Sequence, residues 1–208
     1  MNRRTMTSRH PIFAALALPL ALTLPLALSA CGSSSPQAER PPLEGAAIGG
    51  PFTLTDKDGR TVRWDDFAGQ YRIVYFGYTF CPDACPTDVG VAMRGFARFE
   101  KDHAALAAQV QPIFISIDPA RDTPKVVGEF TAAFHPRLLG LTGTPAQVDA
   151  AAKAFAAYYA RGKETGGGYL MDHSRIAYLM GRKGEAIAML PVDKGPDAVA
   201  AELAKWVR

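Results

Sequence analysis

Two continuous apolar runs with a helical pattern between them constrain this chain most. Residues 73–76 and 110–117 are rich in β-branched and aromatic side chains, which is typical of strands buried on both faces. Between them, Val89, Ala92 and Phe96 recur at helical spacing, so that one face of the helix is apolar. A strand, a helix and a second strand in this order predict a parallel β-α-β unit with helices covering its sheet.

The rest of the chain continues this alternation. Thr123 and Pro124 mark the start of a further helix, and Thr144 with Gln147 forms a capping-box pattern for the next one, which is predicted to run through Phe155 to Tyr159. The other predicted elements are a hairpin of residues 52–55 and 61–64, a strand at 138–141, a hairpin of 176–180 and 186–190, and a C-terminal helix at 197–207. We therefore predict an α/β fold, a thioredoxin-like sandwich with an added N-terminal β-hairpin.

The first 30 residues predict export from the cytoplasm. Arg3, Arg4 and Arg9 precede an apolar stretch at residues 11–28, and small residues lead to Cys31. This pattern is typical of a bacterial lipoprotein signal, residues 1–30, with cleavage before Cys31 and a lipid on its sulfur. An uncleaved membrane anchor is the alternative, because the stretch is about as long as a short span. Both interpretations place the domain outside the cytoplasm, tethered to a membrane of the cell envelope, on its periplasmic face.

Composition supports one exported domain on a tether. Residues 31–47 are polar and rich in proline, which predicts a flexible tether, and residues 48–208 are long enough for one domain with its own core. The whole chain has 23 basic and 20 acidic residues, and its three arginines before residue 31 account for the net charge of +3. The mature chain is neutral and has no basic run, so we predict no nucleic-acid binding.

Cys81 and Cys85 directly follow the first apolar run and are the only cysteines after Cys31. The predicted fold places them where a strand ends and a helix begins. Unpaired N–H groups at a helix start favour thiolates there. If residues 81–85 are helical, the four-residue spacing returns both sulfurs to one face, about 6 Å apart at Cα. That geometry suits a redox-active disulfide pair as well as two ligands of a soft metal ion.

The histidines help to choose between these two chemistries. His103 is expected at a solvated helix end and His135 in a turn, whereas His173 precedes the strand at residues 176–180. In a thioredoxin-like sandwich, the segment entering that hairpin passes over the helix start that carries the cysteines. His173 is therefore a candidate metal ligand, although it is 88 residues beyond Cys85.

Several motifs together resemble those of the Sco (SenC) copper-binding proteins. They are YFGYTFCPDACP at residues 75–86, FISIDP at 114–119, RDTP at 121–124, LTG at 141–143 and DHS at 172–174. The resemblance covers residues 48–190 in order. One departure is Phe80, since many relatives have a histidine directly before the first cysteine.

The resemblance implies a thioredoxin-like fold, membrane attachment and copper, as Cu(I) and/or Cu(II), bound by Cys81, Cys85 and His173. It also implies assistance in assembling the binuclear copper site of cytochrome c oxidase. The expected partners are the copper-site subunit of that oxidase as acceptor and a separate protein as copper donor. The types of ligand agree with copper, because thiolates suit Cu(I) and an added imidazole suits Cu(II).

Two other functions are weighed against copper handling. A thiol-disulfide oxidoreductase acting on cysteines of a partner would also use the pair, but such enzymes on this fold have CxxC, and no proline lies between Pro145 and Pro191 to face it. A structural zinc site normally has four ligands, more than the two cysteines and one histidine provide. One protein would combine oxidoreductase activity with copper handling if it reduced the cysteines of its partner before transferring the metal. Asp118, Arg121 and Asp122 are expected to hold a loop by charge pairs.

Overall fold

The computed structural model describes residues 39–164, 166 and 168–208. Nine strands form in this part of the chain: β1 (Thr53–Asp56), β2 (Thr61–Arg63), β3 (Tyr71–Gly77), β4 (Val110–Ser116), β5 (Leu139–Thr142), β6 (Tyr159–Arg161), β7 (Met171–His173), β8 (Ala177–Met180) and β9 (Ala186–Leu190). The α-helices of the same residues are α1 (Ala84–Asp102), α2 (Ala104–Ala107), α3 (Pro124–Ala132), α4 (Pro145–Ala154) and α5 (Pro196–Trp206), and two short 3₁₀ helices lie at Trp64–Phe67 and Val192–Lys194.

Seven of these strands form one mixed sheet in the order β2-β1-β5-β4-β3-β8-β9. The two apolar runs become β3 and β4, which pair in parallel from Tyr71 opposite Val110 to Gly77 opposite Ser116. Strand β8 pairs antiparallel with β3, and β1 pairs antiparallel with both β2 and β5. Every residue of β3 is buried, as expected for a central strand covered on both faces.

Side chains of β3 show that helices cover both faces of the sheet. Successive residues of a strand point to opposite faces. The Tyr75 hydroxyl donates a hydrogen bond of 3.0 Å to Asp88 on α1, whereas the ring of Phe76 lies 5.4 Å from that of Phe155 at the end of α4. Helices α1 and α5 pack against each other. The structure is thus the predicted thioredoxin-like α/β sandwich.

Helix α4 ends before the predicted limit at Tyr159, so that part of the prediction was wrong. Ala156 has a φ of 50°, in the left-handed region. Its N–H donates to the Lys153 carbonyl at 3.1 Å, and the Ala157 N–H donates to the Ala152 carbonyl at 2.9 Å. This pair of bonds closes a helix end that usually has glycine at the left-handed position. Alanine there provides no sequence signal for the stop.

Strands β6 and β7 form a separate hairpin, hereafter the β6–β7 hairpin, which the sequence did not predict. Tyr159 lies opposite His173 and Arg161 opposite Met171. His173 precedes the 176–180 strand as predicted, but it is the last residue of a strand and does not lie in the loop that was expected at the entry to that hairpin. Each strand has only three residues, too few for an alternating pattern to be recognised.

The described chain begins within the predicted tether. Residues 39–47 contact the domain: the Leu43 N–H donates to the Ile187 carbonyl of β9 at 3.0 Å, and Lys205 forms a 2.5 Å ion pair with Glu39. The remaining tether residues, the predicted signal at 1–30 and its Cys31 lie outside the described residues. Within residues 39–164, 166 and 168–208, no helix is long and apolar enough to cross a membrane.

Candidate metal centre

Cys81, Cys85 and His173 meet at the end of β3. One ligand atom from each lies within 4.8 Å of the other two, and no other cluster of three His, Cys, Asp or Glu side chains with such spacing occurs among the described residues. The Cys85 Sγ and the His173 Nε2 lie 3.0 Å apart. The fold thus brings together the three predicted site residues.

Cys81 lies just outside helix α1 and accepts a hydrogen bond from its first turn. The helix begins at Ala84, so the condition under which residues 81–85 would all be helical is not met. The Cys85 N–H donates to the Cys81 Sγ at 3.3 Å. Burial raises the pKa of the Cys81 thiol, but hydrogen bonds from the backbone N–H groups of Cys85 and Asp83, together with those from the Cys85 and Tyr78 side chains, outweigh this effect and leave that pKa lowered. Both cysteines are free thiols in this structure.

Cys85 has the opposite environment. It is fully buried on the inner side of α1, and burial raises the pKa of its thiol well above the usual range. Gly77 at the end of β3 makes room for it, because a β-carbon there would lie 3.1 Å from the Cys85 Sγ and 2.9 Å from the Tyr75 ring. Glycine at this position therefore lets the buried sulfur approach the sheet.

His173 is held between two tyrosine rings with one nitrogen directed at Cys85. Its ring makes edge contacts with Tyr75 and Tyr78, at centroid distances of 6.2 and 5.9 Å. The Nδ1 lies 2.9 Å from the Ser174 carbonyl oxygen, which can only accept, so Nδ1 carries a proton and donates it in that bond. In the neutral imidazole, Nε2 is then the unprotonated nitrogen, which accepts from the Cys85 thiol and is suited to bind a metal.

The other predicted polar residues have structural roles. His103 is exposed at the end of α1, and His135 pairs with Glu100 at 2.8 Å, away from the cysteines. Asp118 pairs with Arg121 at 2.5 Å, as the charge-pair interpretation predicted. Asp122 accepts hydrogen bonds from the Thr79 N–H and hydroxyl and from Ser116, and so secures the segment that leads to Cys81.

Three residues near the site were missed by sequence reasoning. Tyr169 donates its hydroxyl to Asp118 at 2.8 Å, and its ring lies against the Arg121 guanidinium. Asp88 on α1 pairs with Arg175, which follows His173 by two residues. Asp88 had one usable signal, because a charge three residues after Cys85 lies on nearly the same helix face. The partners of Tyr169 and Arg175 are too distant in sequence to be inferred.

Two sulfurs and one imidazole nitrogen are a donor set that suits copper, since thiolates favour Cu(I) and nitrogen ligands favour Cu(II). With only three protein ligands, the set differs from the four-ligand arrangement usual for structural zinc. Together with the fold, it defines a class: a thioredoxin-like domain in which a CxxxC pair and a distant histidine form one candidate metal site.

The family model described as SCO1/SenC matches residues 40–208, and the chain belongs to this family. Protein SenC of Rhodobacter capsulatus is 44% identical over 155 residues, which cover 74% of this chain and 68% of that protein. The mitochondrial SCO1 homolog 1 of Arabidopsis thaliana is 42% identical over 142 residues. That match covers 68% of this chain but 42% of the plant protein, so the chain spans less than half of its length.

Solved structures with the same fold include copper-bound proteins. Arabidopsis thaliana ScoI with copper bound has a TM-score of 0.71 and 35% identity, covering 76% of this chain and 96% of that one. Bradyrhizobium japonicum ScoI with copper bound has a TM-score of 0.69 and 36% identity, covering 76% and 99%.

Proposed function

We propose that this protein binds one copper ion through Cys81, Cys85 and His173 and passes it on during assembly of the binuclear copper site of cytochrome c oxidase. The observation that carries the proposal is the convergence of these three ligand atoms within 4.8 Å on a fold shared with copper-bound Sco proteins. The acceptor is the copper-site subunit of the oxidase, and a separate protein supplies the copper.

The two thiols have different parts in loading the ion. Cys81 is half-buried and has a lowered pKa, so it supplies a thiolate at the surface to an arriving ion. Cys85 is buried and its thiol donates to His173, so its proton must leave before both Cys85 and His173 bind. Copper binding therefore releases protons, and its affinity rises with pH.

Transfer requires a side of the site that a partner can reach. Phe80, directly before Cys81, is 53% exposed, and Cys81 itself is only half-buried. A site with three ligands leaves a coordination position for a ligand from the acceptor. These features favour a protein that hands its copper over.

A thiol-disulfide oxidoreductase is the second candidate, and the thiol asymmetry favours it. A half-buried cysteine with a lowered pKa suits attack on a disulfide, and a buried cysteine four residues later suits the resolving step. Such activity reduces cysteines of a partner while Cys81 and Cys85 form a disulfide. After that step the Cys81–Cys85 disulfide must itself be reduced by an external dithiol before the same molecule can bind copper and load its target.

The location proposed for this chemistry is outside the cytoplasm. We propose a lipid on Cys31 after cleavage of residues 1–30, which would anchor the domain to an envelope membrane on its periplasmic face. Mass spectrometry of the protein purified from membranes tests this directly. A mass that retains residues 1–30 without a lipid would overturn it.

Anaerobic copper titration of the reduced protein tests the copper proposal. We expect one Cu(I) per chain, and weaker binding by at least about tenfold in His173→Ala, because a ligand is lost outright. His103→Ala is the matched control, since this exposed histidine lies at the far end of α1. No copper binding, together with rapid turnover of a disulfide substrate, would favour the oxidoreductase.

A further inference from the structure

Helix α1 carries a buried carboxylate one turn beyond Cys85. Asp88 is only 3% exposed, and its two oxygens accept three hydrogen bonds. Two come from Arg175, from Nε at 2.9 Å and from Nη2 at 2.7 Å, and the third comes from the Tyr75 hydroxyl at 3.0 Å. The guanidinium thus binds the carboxylate with two parallel bonds, which restrict its direction as well as its distance.

Arg175 connects this carboxylate to the segment that carries His173. It lies between β7 and β8, two residues after the histidine. The Asp88 side chain is 4% exposed and that of Arg175 is 58% exposed, so the guanidinium lies at the surface and covers the buried carboxylate of α1. Loss of Arg175 would leave the Asp88 carboxylate charged, buried and without its ion-pair partner, whereas the exposed Arg175 would remain solvated without Asp88.

The Arg175–Asp88 pair joins the strand that carries His173 to the domain after its last residue, as the bond from Arg121 to the Tyr169 carbonyl at 2.8 Å does before its first. The β6–β7 hairpin is a separate two-stranded sheet and does not pair with the seven-stranded sheet. Ser174 exchanges hydrogen bonds with Tyr158, which lies beside β6, so these bonds hold the hairpin to its own first strand. The Arg175–Asp88 pair instead joins the end of the hairpin to the helix that carries Cys85.

Tyr75 links the ion pair to the imidazole itself. Its hydroxyl donates to Asp88, and its ring makes an edge contact with the His173 ring at a centroid distance of 6.2 Å. The carboxylate therefore orients one of the two rings between which His173 is held. Both routes from Asp88, through Arg175 and through Tyr75, lead to the same imidazole.

We propose that Asp88 and Arg175 are positioning residues that hold His173 Nε2 within reach of Cys85, although neither binds the metal. This inference rests on the proposed function where it concerns copper. It predicts that loosening the pair weakens only the contribution of His173 to the site and leaves the thiolates intact.

A double-mutant cycle tests the proposal in the purified, reduced protein. Cu(I) retention is measured by competition with a chromophoric chelator for wild type, Arg175→Gln, His173→Ala and the combined variant. We expect Arg175→Gln to weaken copper binding by about tenfold, a typical effect of losing a partner outside the ligand set. In the His173→Ala background the same change should have no effect. Equal losses in both backgrounds, or no loss with His173 present, would overturn the proposal.

Two further variants separate positioning from charge and from folding. Arg175→Lys keeps the positive charge but lacks the paired donors, so we expect a loss of copper affinity between those of wild type and Arg175→Gln. If Arg175→Gln does not fold, Asp88→Asn combined with Arg175→Gln removes the unpaired buried charge and replaces it in the cycle. Arg98→Gln is the matched control. Arg98 lies on α1, as Asp88 does, and the substitution breaks only an exposed ion pair with Asp197 on α5.

A measurement without metal decides the inference separately from the proposed function. Nitrogen-15 signals of the His173 ring, assigned by their absence in His173→Ala, report which nitrogen carries the proton. We expect a protonated Nδ1 in wild type and in Arg98→Gln, and a mixture of both tautomers in Arg175→Gln. Unchanged signals in Arg175→Gln would overturn the positioning role. A wild-type protein that takes up no copper would instead contradict the proposed function, and the ring signals would still test the positioning.

Discussion

At the scale of single residues, Cys81 and Cys85 differ chemically because their surroundings differ. Cys81 lies before the helix, and its sulfur accepts hydrogen bonds from backbone N–H groups, which lower the pKa of its thiol. Cys85 lies within the first helical turn, fully buried, and burial raises the pKa of its thiol. The same pair can therefore act as an accessible thiolate and a protected thiol.

Alkylation of the reduced, metal-free protein should reveal this difference. Below both pKa values, each unit of difference in pKa changes the ratio of thiolate fractions tenfold. At pH 7 we therefore expect Cys81 to react with iodoacetamide at least about tenfold faster than Cys85. As the pH rises, Cys81 labelling should increase with a midpoint below that of an ordinary thiol. Peptide mass mapping measures each rate.

The control for this experiment is Cys81→Ser, in which only slow labelling of Cys85 should remain. Equal rates at the two cysteines of the wild-type protein would contradict the assigned asymmetry.

At the scale of elements, helix ends and helix crossings depend on single small residues. Helix α4 stops because Ala156 adopts a left-handed conformation with φ of 50°. Helices α1 and α5 approach closely at Gly95, where a β-carbon would lie 2.5 Å from the Val199 Cβ and 2.8 Å from the Pro196 carbonyl oxygen. Replacing these two residues is expected to change the stability of the protein in opposite directions.

Ala156→Gly should stabilise the protein. A non-glycine residue in the left-handed region costs about 1–2 kcal/mol, whereas glycine loses about 0.5–1 kcal/mol more backbone entropy on folding. We expect the free energy of unfolding to increase by about 0.5–1 kcal/mol, measured by urea denaturation. Ala150→Gly, within α4, is the control and should decrease it by about 1 kcal/mol. A loss of stability in Ala156→Gly would contradict the strain.

Gly95→Ala should destabilise the protein by about 1–3 kcal/mol, because the added methyl group overlaps a β-branched side chain and a backbone carbonyl that cannot both move. Gly90→Ala in the same helix is the matched control. Its β-carbon would meet the flexible end of Arg94 at 3.0 Å, so we expect no loss of stability. Thermal and urea unfolding of the two variants compare these expectations, and equal stabilities would contradict the close crossing.

At the scale of the whole molecule, one buried ring joins several parts of the fold. Phe155 is fully buried at the end of α4, and its ring contacts those of Phe52, Trp64, Phe76 and Tyr178 at centroid distances of 5.3–6.5 Å. These partners come from the N-terminal part of the domain, from β3 and from β8. The face of the sheet opposite α1 is therefore organised around this residue.

Phe155→Ala should decrease the free energy of unfolding by about 3–5 kcal/mol, because it leaves a cavity between strands that cannot close together. Tyr158→Ala, three residues later and 63% exposed, should change it by less than about 0.5 kcal/mol. Urea denaturation followed by circular dichroism measures both. A small effect in Phe155→Ala would show that the sheet face does not depend on this ring.

Much of the fold was predictable because its signals are local. The apolar runs of β3 and β4, the proline at the start of α3 and the Thr144–Gln147 capping box all appear as predicted, and each depends on residues within a few positions. The β6–β7 hairpin and the end of α4 were missed. Their short strands and the left-handed alanine have no periodic or compositional signal.

By itself, the sequence determined the order of the strands of the main sheet and of the helices that cover it, the place of the CxxxC pair where a strand meets a helix, and the three residues of the candidate site. Only the tertiary structure decided which thiol is buried, which nitrogen of His173 faces Cys85, and that Arg175 pairs with Asp88. The physical reason is the separation along the chain over which each kind of interaction acts. Periodicity and capping act within one element, whereas burial and the contact between Cys85 and His173 exist only after 88 residues of chain fold back onto helix α1.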